Sequence, residues 1–230
     1  MWLPDVTAEP VAYRGLGAQP GRAAILHTND GPGGDLFGWW SSCAAGAQGP
    51  LMTQVGAHFQ VRLDGSASQY VDTASLIWHA YSASTFAVGI ETEDRGTPAL
   101  PWSGPQLDTM AAILHALGVP ATMLSAPTPG DGIGYHEQFS AWNQSGHTCP
   151  GTVRQAQIPD LLRRLAARYA PPAPTTEVPD MLLITNASTQ GTWYILGSAG
   201  ARHIGPAELA LYRAAGVPVK VLPDAQMPTS

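Results

Sequence analysis

Phe86-Ala87-Val88-Gly89-Ile90-Glu91-Thr92-Glu93 is the stretch on which the fold turns. Phe86, Val88 and Ile90 alternate with small or polar residues, so one face of an extended strand is apolar and Glu91 points to the other. Working outward, residues 22–27 form a short apolar run, and Val55, Ala57, Phe59, Val61 and Leu63 alternate again. These are candidate strands. Around them the apolar period lengthens: Leu36, Trp39, Trp40 and Cys43 share a helical face within 34–45, and Leu107, Met110, Ala111, Leu114 and Leu117 share one within 105–117. Residues 158–169 repeat the pattern with Ile158, Leu161, Leu162, Leu165, Ala166 and Tyr169, and Pro159 suits a first helical turn. Strands alternating with helices predict the α/β class, a central mixed β-sheet flanked by helices. Residues 121–134, rich in Pro, Gly and Thr, read as a long loop.

The boundary beyond this domain is 170–180, Ala-Pro-Pro-Ala-Pro-Thr-Thr-Glu-Val-Pro-Asp, whose prolines favour a semi-rigid linker. The organisation expected is therefore a main domain over 1–169, a Pro-rich linker over 170–180 and a small C-terminal α+β module over 181–230. In that module 181–185 and 192–196 read as a hairpin around 186–191, 206–215 as a helix and 217–222 as a strand, a ββαβ-like unit. At roughly 45 residues it is marginal alone, so it docks, self-associates or is held by a partner.

Seven Trp and seven Tyr within 230 residues supply apolar area for a packed core. The net charge of -6 leaves no basic patch for neutralising phosphates, which excludes an electrostatic nucleic-acid binder. No apolar stretch approaches the ~18 residues of a bilayer span. Met1-Trp2-Leu3-Pro4-Asp5 has neither the basic nor the apolar region of a signal peptide, so the expectation is synthesis in the cytoplasm and action elsewhere only after release.

Seven histidines and two cysteines carry the chemical signal. His27 ends a candidate strand, His136 lies in Gly134-Tyr135-His136-Glu137, and Cys149 lies in Gly146-His147-Thr148-Cys149-Pro150-Gly151. Two imidazoles and a thiolate with a fourth position open is the pattern of a catalytic zinc site. Two other readings are open at this point: each His is a packing or loop residue, or Cys43 and Cys149 form a disulfide. Cys43, on a helix face with Leu36 and Trp40, reads most simply as a small buried apolar residue.

Several segments, in order, resemble the zinc amidase family that holds the type 2 N-acetylmuramoyl-L-alanine amidases and the peptidoglycan recognition proteins. They are Ile25-Leu26-His27-Thr28, the run from Val55 to Gly65, Gln69-Tyr70-Val71, Trp78-His79-Ala80, Val88-Gly89-Ile90-Glu91-Thr92-Glu93 and Cys149-Pro150-Gly151. The resemblance implies the recognition-protein-like amidase fold, bacterial peptidoglycan as partner and substrate, and Zn2+ held by His27, His136 and Cys149. It implies cleavage of the amide between N-acetylmuramic acid and L-alanine by zinc-activated water. Glu91 matches the acidic residue that faces that water, as general base; the other reading is an exposed strand carboxylate. His147 stands where many relatives carry Lys and would donate to the developing oxyanion. Ala57 stands where one branch has a Tyr that helps to hold the water, which leaves the water to Glu91.

His79 and Trp78 match groove positions that contact muropeptide, with packing of Trp78 as the other reading. His115 and His203 read as ordinary surface or packing residues, and His58, which matches no ligand position of the family, is turned by alternation from the apolar face of its strand. The missing leader and the appended module make a bacteriophage endolysin the most similar subtype, with the module binding cell wall or self-associating. The alternatives are a non-catalytic peptidoglycan recognition module and a muropeptide-recycling amidase.

Overall fold

The computed structural model describes residues 1–14, 16–18, 21–29, 35–97, 99–144, 146–170, 182–186, 193–197, 200–214 and 217–223. The expected linker after Ala170 and the expected hairpin turn after Asn186 lie outside them. The chain divides into two compact units, Met1–Ala170 and Pro171–Ser230.

The first unit is built on a six-stranded sheet of β1 (Thr7–Ala8), β2 (Ala23–Leu26), β3 (Phe59–Val61), β4 (Ala67–Gln69), β5 (Ala87–Thr92) and β6 (Gly132–Tyr135), in the order β1-β4-β3-β5-β2-β6. β2 runs parallel to both β5 and β6, while β3 is parallel to β5 and antiparallel to β4, which makes the sheet mixed as expected. All four residues of β2 are buried, because a central parallel strand is covered on both faces. Ala24 and Leu26 face the larger core with Val88, Ile90, Phe59 and Val61 under α2 (Gly104–Ala116) and α4 (Ile158–Tyr169). Ala23 and Ile25 face Ala80, Ala83, Phe86 and Trp142 on the other side. α2 starts on a capping box of Ser103 and Gln106, and the buried Gln106 amide also donates to the carbonyls of Val61 and Glu93. That fixes the helix against the ends of β3 and β5.

Four expectations are corrected here. The strand expected over Val55 to Leu63 is hydrogen-bonded only at Phe59–Val61, because Gln54 and Gly56 pair with Trp78 instead. Phe86 packs opposite to Val88 and Ile90, since the strand begins one residue later. The expected loop over 121–134 ends in β6. The first helix, α1 (Phe37–Ala44), buries Trp40 and Cys43 but leaves Trp39 exposed. α3 (Thr152–Gln155) is a single turn after Pro150-Gly151.

The second unit contains β7 (Leu182–Asn186), β8 (Trp193–Gly197), β9 (Gly200–Ile204), α5 (Pro206–Ala214) and β10 (Val219–Leu222). Its sheet order is β10-β7-β8-β9, with β10 parallel to β7 and the other pairs antiparallel. It is thus βββαβ, with β9 added to the expected pattern. Its core is small: Leu183, Ile195, Ile204 and Val217, backed by Trp193, Leu209 and Tyr212. The Arg213 guanidinium lies 4.5 Å from the Trp193 ring centre. Among the described residues no helix is long and apolar enough to cross a membrane.

Candidate metal centre and groove

The sheet brings the three expected ligands together. His27 follows β2 and its backbone N–H still donates to Ile90; His136 follows β6 and its N–H donates to Leu26. Two neighbouring strands therefore deliver both imidazoles at the same end of the sheet, where ligand sites of α/β sheets form. Cys149 arrives from a later loop, held where Glu137 N–H donates to its carbonyl and Thr28 N–H donates to its Sγ at 3.2 Å. One ligand atom from each of His27, His136 and Cys149 lies within 4.8 Å of the others. Both cysteines are free thiols, so the Cys43–Cys149 disulfide reading is excluded. Cys43 is buried with Val11, Trp40, Tyr70, Val71 and Ile77, as a small apolar residue.

The tautomers follow from the hydrogen bonds. His79 Nε2 lies 2.8 Å from the Ala87 carbonyl, which can only accept, so the proton sits on Nε2 and Nδ1 is left as an acceptor. His27 Nε2 lies 3.0 Å from that Nδ1 and must donate to it. The lone pair of His27 is then on Nδ1, 3.7 Å from Cys149 Sγ and free for a cation. His79 reaches this place because β5 has a glycine beneath it: a Cβ on Gly89 would fall 2.8 Å from His79 Cγ.

The electrostatics fit a cation. Burial, then the His136 and His79 rings, holds His27 far below the ordinary imidazole range. Burial, then His147, holds His136 at about 4. Burial, then Glu91, pushes the Cys149 thiol well above its usual range. Neutral imidazoles are ready ligands, the thiol gives up its proton only to a strong cation, and the buried Nε2 of His136 has no partner. A His-His-Cys set with an orphaned imidazole nitrogen fits zinc.

Glu91 lines the same cleft of about 310 Å³, with Thr28, Asn29, Trp40, Thr148 and His147. Burial, then Asp94, pushes its carboxyl up to about 8, and one of its oxygens has no partner. The reading of an exposed carboxylate is excluded. His147 is exposed, its ring centre 6.0 Å from that of His136, and its backbone is bracketed by Asn143, whose carbonyl oxygen accepts from His147 N–H and whose amide donates to His147 O. Trp78, 40% exposed, joins Leu51, Met52, Val55, Tyr81 and His79 in an apolar groove that runs on from the cleft past His136 and His147. His79 lines that groove too, but both its nitrogens are engaged inside the protein. Its burial and its neighbour His58 hold it at about 3.

His58 corrects an expectation. It is turned from one apolar face into another layer, fully buried, accepting from Gly89 N–H and donating to the Ser75 carbonyl. Sequence reasoning also passed over Thr28, Arg154, Asn29 and Trp40. The amide of Asn29 and the indole nitrogen of Trp40 are buried without partners beside the cleft. Asn29 stands two residues after His27, a spacing that could have flagged it; nothing local marked Trp40 or Arg154.

A mixed sheet with a His-His-Cys cluster at one end, a raised carboxyl beside it and a groove leading away makes a cleft that could hold a metal ion. The model of the Amidase_2 family, N-acetylmuramoyl-L-alanine amidase, matches residues 17–152, and the chain belongs to that family. The chain is 28% identical over 96 residues to N-acetylmuramoyl-L-alanine amidase A of Achromobacter lyticus, a match covering 41% of this chain and 50% of that protein. It thus spans about half the length of this curated relative. Among solved structures, N-acetylmuramoyl-L-alanine amidase LysC from Clostridium intestinale URNW is similar at a TM-score of 0.52 and 15% identity, over 70% of this chain and 99% of that one. The hydrolase AmiA of Staphylococcus aureus is similar at 0.51 and 14%, over 74% and 87%. The Drosophila peptidoglycan recognition protein PGRP-SA is similar at 0.50 and 18%, over 67% and 91%. At these identities the structures bear on the fold, which is the mixed α/β amidase fold.

Proposed function

We propose that this chain hydrolyses the amide between N-acetylmuramic acid and the L-alanine of the peptidoglycan stem peptide, with Zn2+ held by His27, His136 and Cys149. The observation that carries this reading is the convergence of those three donors, the unpaired His136 Nε2 among them, in one cleft with the partner-free carboxyl oxygen of Glu91. Zinc in that position supplies a Lewis acid that acidifies water and polarises the amide carbonyl. Glu91 takes the proton of the attacking water and passes it to the departing L-alanine amine. Its place in the cleft suits the task, because a carboxyl oxygen with no partner inside the protein is left to accept and return a proton. His147, exposed on its Asn143-braced loop, donates to the oxygen that gains charge as the tetrahedral centre forms. Trp78 and the carbon edge of His79 support the peptide or glycan along the apolar groove, and His79 holds His27 in its ligand tautomer.

The setting we propose is that of an endolysin, made in the cytoplasm and acting on the wall of a host after release, with residues 181–230 as a wall-binding module. The pairing of an amidase unit with a second small unit supports it. The test is elemental analysis of the purified chain together with mass spectrometry of purified peptidoglycan before and after incubation. One zinc per chain and release of stem peptides with free L-alanine amines are expected. Zinc without products would favour a recognition module, and a chain that releases those peptides with no metal bound would overturn the metal assignment.

A further inference from the structure

Arg154 is fully buried on the turn that follows Cys149, where a guanidinium needs a full set of acceptors to be tolerated. Each of its three nitrogens has at least one acceptor, and most of these come from the segments that carry the other site residues. Nε donates to the Leu100 carbonyl at 2.9 Å, and Nη2 donates to the Glu93 carbonyl at 2.8 Å. Nη1 donates to the hydroxyls of Thr28 at 2.5 Å and Thr92 at 2.9 Å. Each hydroxyl then passes the contact on. Thr92 Oγ1 donates to the carbonyl of His27 at 2.6 Å, and Thr28 Oγ1 donates to the buried carboxylate of Asp94 at 2.7 Å. Thr28 is also the residue whose backbone N–H donates to Cys149 Sγ.

We propose that Arg154 is a positioning residue for the metal centre: its planar fork locks His27-Thr28, Thr92-Glu93-Asp94 and the Cys149 turn at one spacing, so that Thr28 N–H and His27 are held against the Cys149 sulfur. This rests on the reading of His27, His136 and Cys149 as zinc ligands. The planarity matters, because the donors leave in fixed directions toward three segments, and a lysine ammonium at the same place cannot reach them together. The Asp94 carboxylate, joined through Thr28, offsets the buried positive charge, so the network need not repel a cation bound nearby. A hydrogen bond from a fixed N–H to a metal-bound sulfur tunes the donor strength of the thiolate, so the network acts on the metal through Cys149.

The test uses the full chain with Arg154→Lys and Thr28→Val, the latter keeping the backbone N–H and the side-chain shape while removing the hydroxyl link. Zinc affinity is read by competition with a chelator, and the ligand field by the sulfur-to-metal charge-transfer band of the Co2+-loaded protein. Arg154→Lys is expected to weaken zinc binding by about 10- to 100-fold and to shift the band, with a smaller change of the same sign in Thr28→Val. Tyr169→Phe, which removes the hydrogen bond from the end of α4 to the Val119 carbonyl away from the site, is the comparison, expected to lower thermal stability and leave both readouts unchanged. A folded Arg154→Lys chain with native zinc affinity and a native band would overturn the proposal, whatever its melting temperature. If that chain does not fold, Thr28→Val decides, and native values for both readouts overturn it equally. A native chain that takes up no zinc would overturn the metal reading and this inference together; native and variant chains alike in both zinc affinity and band overturn the inference alone.

Discussion

Glu91 is placed to hold a proton and to give it up. Buried beside Asp94 at the end of β5, its carboxyl stands at about 8, so in the metal-free chain it is mostly protonated at pH 7. Cys149 is protonated there as well, whereas His27 and His136 are neutral. A cation must displace the thiol proton and also favours loss of the carboxyl proton, so zinc affinity falls as pH drops through this range. At pH 7 the native chain should release about two protons per zinc and Glu91→Gln about one, counted by calorimetry in buffers of different ionisation enthalpy. Equal counts would mean that Glu91 does not change its protonation when the metal arrives. The same variant keeps every metal ligand, so it should retain zinc while kcat on peptidoglycan fragments falls by about 10²- to 10⁴-fold with KM little changed. Unaltered kcat would move the base elsewhere. At this scale the sequence singled out residues whose chemistry is rare, and the fold gathers them in one cleft: His27 and His136 just past strand ends, Glu91 within β5 and Cys149 from a loop. The sequence was silent on Arg154, because a buried arginine is defined by acceptors at Thr28, Thr92, Glu93 and Leu100, which only folding assembles.

Strand β5 links the residue chemistry to the sheet through Gly89. The absence of a side chain there lets the His79 ring lie on the strand, reach the Ala87 carbonyl and hold the His27 tautomer. Gly89→Ala puts a methyl 2.8 Å from His79 Cγ and 3.0 Å from Cδ2, within van der Waals contact of a ring that has no room to retreat without losing a hydrogen bond. The expected cost is about 1–3 kcal/mol in stability by urea unfolding. Zinc affinity in chelator competition should weaken about tenfold or more as His27 loses its orientation. A loss of stability with native zinc affinity would show that His27 keeps its ring position without His79. Elements with apolar periodicity, α2 and α4, were readable because one face of each is buried, and β5 because its Val88 and Ile90 alternate into the larger core. β6 was not, because Gly132-Ile133-Gly134-Tyr135 looks like loop chemistry. Gly134 is there because Trp142 and Ile25 leave 2.7 and 2.9 Å for a Cβ, a constraint set by residues distant in sequence. β9 escaped for a different reason: Ala201-Arg202-His203 carries no apolar alternation and is held by its antiparallel ladder to β8.

At the scale of the whole molecule the two units differ in what they can do alone. Met1–Ala170 holds every residue of the proposed chemistry and the larger cores. The second unit closes around Leu183, Ile195, Ile204 and Val217, a core of the size that supplies at most about 3–5 kcal/mol. The two compact units meet where the proline-rich stretch 170–180 begins; the purpose of the second unit is not legible in the sequence, and among the described residues no His/Cys/Asp/Glu cluster marks it. If it binds wall, its contribution is one of local concentration and not of turnover. Tethering an active unit to an insoluble substrate raises the effective concentration of that substrate without touching the reacting groups. A chain ending at Ala170 should therefore bind one zinc and cleave a soluble muramoyl-peptide at the native rate. Its clearing of intact cell walls should fall by about 10²-fold, together with its cosedimentation with them. Native clearing by the shortened chain would remove the wall-binding role, and a parallel fall on the soluble substrate would make residues 171–230 a stabilising part of the amidase unit instead.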